Sequence, residues 1–200
     1  VNKDRLKKAS ELYKSEEGIT VHYVDTSNIE NSEEYLRNLV NGGFDDIFIF
    51  APVAELVTQG SKLLNNDGCL NFFAGPQNKD FSAEINFYDI HYSFTHYVGT
   101  SGGNTEDMRT AIRLIEEKKV NVAKVVTHIL GLDSVVETTL NQPEIAGGKK
   151  VVHTQKKVDL KSLDEIINDE NNILGNILKE SNGVWSKKSE DYVLDKAEEI

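Results

Sequence analysis

The chain has 200 residues, 38% of them apolar, with 22 basic side chains against 33 acidic ones and a net charge of −11. That length suits one compact domain or one and a half. The acidity excludes a general binder of nucleic acid or anionic membrane, which needs a basic face, but it leaves room for a small anion held in a local pocket.

Residues 4–14 read as a helix, with Leu6, Ala9, Leu12 and Tyr13 on one face. "GITVHYV" (18–24) reads as a short strand. Asn31 or Ser32 can cap a helix carrying Tyr35, Leu36, Leu39 and Val40, which stops at Gly42-Gly43. "DDIFIFAP" (45–52) is a continuous apolar run of the kind found in strands buried on both faces. A helix over 53–64 follows, then a second buried strand, "GCLNFFAG" (68–75). "FSAEINFYDIHY" (81–92) alternates loosely and reads as an edge strand. "FTHYVGT" (94–100) is the next strand, and Asn104 can cap a helix over 105–118 with Asp107 near its positive end.

After residue 120 the texture changes. "VVTHILGLDSVVETTLNQ" begins β-branched and turns helical. "GGKKVVHTQKKV" gives a strand after a Gly-Gly turn. Residues 160–180 read as one amphipathic helix ended by Asn182-Gly183, and a last helix covers roughly 187–198.

Strands alternating with helices imply a mostly parallel α/β sheet, which binds ligands beyond the carboxyl ends of its strands. Those ends are Val24-Asp25, Ala51-Pro52, Ala74-Gly75-Pro76 and Gly99-Thr100-Ser101. Small residues there let a flat ligand approach the backbone.

Complete catalytic sets are missing. "GTSGGNTEDM" has the glycines and helix start of a phosphate cradle but no Lys-Ser/Thr ending, and it does not match G-x-G-x-x-G. It reads better as a strand-to-helix turn. The five histidines, His22, His91, His96, His128 and His153, include no i, i+4 pair for zinc. Cys69 sits in an apolar strand and reads as packing; no G-x-S-x-G elbow exists. One cysteine excludes an internal disulfide framework and fits a reducing, cytoplasmic compartment. No run of about 18 apolar residues suggests a membrane span. The acidic runs read as solvated helix faces.

"GGFDDIFIFAPVAELVTQGSKLLNNDGCLNFFAG", "VGTSGGNTEDMRTAIRLIEEKKVNVAKVVTHILGLD" and "GGKKVVHT" resemble, in this order, the second half of the nucleotide domain of zinc-type medium-chain dehydrogenases and its return to the catalytic domain. "LNFFAGP", "FSAEINFYDIHY", "ETTLNQPEIAGGKK" and "SNGVWSKKSEDYVL" resemble the sorbose-1-phosphate reductase-like branch. The resemblance implies a partial Rossmann fold, α/β and doubly wound, lacking its first strands. It divides the chain into 1–120, the second part of the NAD(P)-binding domain; 121–158, a return segment of the catalytic domain; and 159–200, a helical tail. The family's glycine fingerprint and zinc ligands are expected upstream of "VNKDRL", so exposed strand edges and marginal stability are expected of these residues alone.

By the same resemblance, Ala51-Pro52 should lie under the nicotinamide ribose and Ala74-Gly75 against the nicotinamide ring. Thr100, Ser101 and Gly102 should lie near its carboxamide. Arg5 matches a place where a basic residue reaches the adenine ribose or a 2′-phosphate. Where some relatives carry a basic residue toward the pyrophosphate, this chain has Val152. "AEINFYDI" resembles a segment that extends the sheet across a dimer. The implied cofactors are NAD(P) and zinc, and the implied reaction is hydride transfer between nicotinamide and a ketose phosphate or polyol phosphate. The same fold could instead serve as a non-catalytic nucleotide-binding or assembly module, or as a methyltransferase with Asp25 on a ribose.

Overall fold

The computed structural model describes residues 3–40 and 42–200, which divide into two compact units, up to Met108 and from Arg109 onward. The first unit opens with α1 (Lys3–Leu12), built of good helix formers, though none of its residues is buried. Residues 18–24 form no strand. The chain only folds back on itself around Gly18 through a Glu16–Ile19 bridge. Alternation is not enough for a strand without a neighbour to pair with. In α2 (Ser32–Leu39) the cap is Asn31, whose Oδ1 accepts the Glu34 N–H at 3.1 Å.

β1 (Phe44–Ile49), α3 (Ala54–Leu63), β2 (Leu64–Phe72) and β3 (His96–Gly99) build a parallel sheet in the order β1-β2-β3. α3 packs on one face, where Ile49, Val57, Leu64 and Leu70 form a small core with Ile47, Phe72 and Tyr97 at its margin. The opposite face is open, contrary to the reading of β1 as buried on both sides. Phe48 is 57% exposed, and Phe50 and Phe73 are exposed as well. The apolar run was legible, but the number of covered faces depends on what packs against it. Among the described residues β1 and β3 each have a hydrogen-bonded neighbour on one side only.

The expected edge strand over 81–92 is not formed. Phe81, Ala83 and Ile85 alternate inward onto the α3-side core as unpaired chain, and α4 (Phe87–Tyr92) follows, capped by Asn86. The Asn86 side-chain oxygen accepts the Tyr88 N–H, and that local bond outcompetes a ladder. α5 (Thr105–Glu116) leads into the second unit.

That unit holds β4 (Val126–Gly131), the short helix α6 (Val135–Leu140), β5 (Lys149–His153) and β6 (Lys161–Ser162). The sheet order is β5-β4-β6, parallel on the β5 side and antiparallel on the other. The helix expected over 160–180 is two helices, α7 (Leu163–Asn168) and α8 (Ile173–Glu180). The polar run Asn168-Asp169-Glu170-Asn171-Asn172 supplies the break. Asp169 ends one helix and the Asn172 side chain accepts the Leu174 N–H to begin the next. Gly175 lets α8 cross tightly over α7, since a Cβ there would collide with the Ile166 carbonyl oxygen. With α9 (Lys187–Lys196), these helices bury Ile129, Leu163, Ile166, Leu174, Leu178, Trp185 and Val193 in one core.

Candidate functional site

Parallel pairing puts the carboxyl ends of β1, β2 and β3 side by side. Ile49 pairs with Phe72, and Phe72 with Gly99. The three chains leave the sheet from that row as Phe50-Ala51-Pro52, Phe73-Ala74-Gly75 and Thr100-Ser101-Gly102. The Ile49 carbonyl accepts the N–H groups of both Phe73 and Ala74 at 3.0 Å, which ties the first two exits together. Seven of the eight residues expected at the site thus gather on one ledge. Ala51 and Ala74 are half-buried there, and Pro52, Gly75, Thr100, Ser101 and Gly102 are exposed. Arg5 is exposed in the first turn of α1.

Two glycines on the ledge have no packing reason to be glycine. A Cβ added to Gly75 or Gly102 meets nothing within 4 Å, and only Gly102 has a left-handed φ, +79°. The open space over Gly75 therefore faces outward, toward whatever lies on the ledge.

The loop after Thr100 is not a phosphate cradle. Asn104 Oδ1 accepts the N–H groups of Glu106 and Asp107, and Asp107 Oδ2 accepts the Asn104 N–H at 2.8 Å. The donors of this helix end are used within the chain, and the negative end of the dipole pair is already Asp107. Asp25 is also engaged locally. Its carboxylate accepts the Ser27 hydroxyl and N–H, which hold it below the usual carboxylate range. With no strand over 18–24, Asp25 is not a strand-end ribose ligand.

Sequence reasoning missed the aromatic pair beside the ledge. The rings of Phe50 and Phe73 meet edge to face at 5.7 Å, and Phe48 stacks on Phe50 at 6.3 Å. The signal was present as an echo, Phe-Ala-Pro and Phe-Ala-Gly at equivalent strand exits. A roomier recess of about 660 Å³ lies between α2, α3 and residues 82–84. Glu30, Glu33, Glu55 and Glu84 wall it against a single cation, Lys62, so its charge disfavours a pyrophosphate despite its size.

Residues 1–117 match the family described as zinc-binding dehydrogenase. The chain belongs to that family. It is 54% identical to L-sorbose 1-phosphate reductase of Klebsiella pneumoniae over 200 residues, all of this chain and 48% of that protein. It is 38% identical to mannitol-1-phosphate 5-dehydrogenase of Aliivibrio fischeri, over 98% of this chain and 48% of that protein. A Sinorhizobium meliloti dehydrogenase structure bound to NADP shares 25% identity and superposes with a TM-score of 0.54, over 68% of this chain and 40% of that one. The chain spans about half the length of the curated relatives it matches. The α/β expectation holds, with a parallel three-stranded sheet and helices.

Among the described residues, no three His, Cys, Asp or Glu side chains come together to hold a metal ion. His153, for example, is committed elsewhere: its Nε2 lies 3.3 Å from Glu190, which also accepts the Trp185 indole N–H at 2.9 Å. The described residues also contain no helix long and apolar enough to cross a membrane.

Proposed function

We propose that this chain supplies the nicotinamide-side wall of an NAD(P)-dependent oxidoreductase acting on a ketose phosphate or polyol phosphate. One observation carries the reading: three small-residue exits, level with one another, at the carboxyl ends of adjacent parallel strands. In doubly wound folds ligands lie in that place. The outward space at Gly75 fits a flat ring lying on backbone. The bound nicotinamide supplies the hydride; this chain positions the ring and excludes water from one side.

In this reading Ala51 and Pro52 carry the ribose and Ala74 and Gly75 the ring. Thr100, Ser101 and Gly102 bound the carboxamide, with the two hydroxyls as its hydrogen-bonding groups. Arg5 is assigned to the adenine ribose or a 2′-phosphate. The substrate class rests on the two relatives named for sugar 1-phosphate and hexitol 1-phosphate reactions. In the same reading the enzyme works as a cytoplasmic homodimer.

Reduced nicotinamide mononucleotide tests the assignment. Titrated into the isotope-labelled chain, it should shift the amides of residues 51–52, 74–75 and 100–102, while adenosine 2′,5′-bisphosphate leaves them unmoved. Shifts confined to other residues would overturn it. Lacking G-x-G-x-x-G, the 200 residues should bind whole NAD(P)H more weakly than about 1 µM and reduce no ketose.

A further inference from the structure

The second unit contains a recess of about 350 Å³ between β6, α8 and α9, well away in sequence from the strand exits. Its volume falls in the range of small-molecule sites. Its floor is the apolar core: Ile166 and Val193 are 2% and 5% exposed. Its charged lining is Lys157, Lys161 and Lys196 against the single carboxylate of Asp159. Such an excess of positive charge is notable in a chain of net charge −11.

The donors around this recess are poorly employed. Among the described residues Lys161 has no ion-pair partner within 4 Å. The Tyr192 hydroxyl, which also lines the recess, has no hydrogen-bond partner there either. Lys157 pairs with Glu198 and Lys196 with Asp195, but both carboxylates are more than two-thirds exposed. Such surface pairs are weak and exchange readily for a better-placed anion.

We infer that this recess binds a compact phosphate monoester, with its dianionic head among Lys157, Lys161 and Lys196 and its carbon body on the apolar floor beside Tyr192. Lys161 offers an unpaired cation and Lys157 and Lys196 two whose surface partners can be exchanged, and lysines serve phosphate as point charges. The site shares no residue with the nicotinamide ledge and does not depend on that assignment.

The test is a titration of the labelled chain with glycerol 3-phosphate and, separately, inorganic phosphate. Saturable shifts at residues 157–161 and 192–197 are expected with a dissociation constant of roughly 1 mM, weakening as salt rises. Lys161→Gln should weaken binding at least about fivefold, and Lys179→Gln, an exposed lysine outside the recess, should change nothing. Unchanged melting temperatures would show both variants folded. No saturation, or equal loss in the two variants, would overturn the site. Equal affinity for the two probes would overturn the role given to the floor.

Discussion

Asn104 and Asp107 cap each other: each backbone N–H donates to the other's side chain, at 2.8 and 3.1 Å. This reciprocal pair starts α5 and ends the loop that bounds the ledge. Replacing Asn104 with Ala should cost about 1 kcal/mol of stability, the usual value of such a cap. Urea unfolding would measure it. The affinity for inorganic phosphate should not change, because this helix end is not where phosphate binds; a large change would restore the cradle reading.

Gly75 separates function from fold. A methyl group there meets no atom, so Gly75→Ala should shift stability by less than about 0.5 kcal/mol. It should nevertheless abolish the shifts caused by reduced nicotinamide mononucleotide. Retained binding with retained stability would remove Gly75 from the site.

Gly175 is the opposite case. Here a methyl group would press on the Ile166 carbonyl, so Gly175→Ala should destabilise by about 1–3 kcal/mol through overpacking of α8 on α7. Thermal unfolding should show the loss, and a variant as stable as the parent would mean the two helices part easily.

How much of this could be read beforehand depended on whether the deciding contact was local. Asn31 and Asn104 announce their helices because a cap needs only the next three residues. The three strand exits were legible too, since small residues after apolar runs mark them whatever lies beside them. Residues 18–24 and 81–92 were misread because a strand is defined by a partner that no periodicity reveals. Phe48 and Phe50 have the composition of a core, and only the absence of cover on their face makes them surface. The break at 168–172 was visible as five polar residues, but the i, i+3, i+4 rhythm continued through it.

Glu190 holds two donors at once, the buried His153 ring and the Trp185 indole. Glu190→Ala should cost about 2 kcal/mol by leaving them without an acceptor. Tryptophan emission should shift as the indole N–H loses its partner. An unchanged spectrum and unchanged stability would show that the two donors find other partners.

Glu165 gives the fold an acid-sensitive joint. The Ser162 N–H first, and its hydroxyl second, hold the Glu165 carboxyl below its ordinary value. A lowered folded-state value means the stabilisation is present above the ordinary carboxylate range and lost as pH falls through the lowered value. Melting temperature should therefore drop between about pH 5 and pH 3. Glu165→Gln, which accepts the same bond without titrating, should lose less over that interval. Parallel curves would rule this contribution out.

The order β1-β2-β3 is also the order of synthesis. Each strand of this sheet joins the edge made by the one before, after a connection of 14 residues in one case and 23 in the other, counted between the strand bounds. No strand has to be inserted between two that are already paired, so the sheet can grow at one edge as the chain leaves the ribosome. Within this sheet the ledge is the last part finished. Its third wall, Thr100 to Gly102, exists only once β3 has docked, so any ligand of the ledge reports that the sheet is complete.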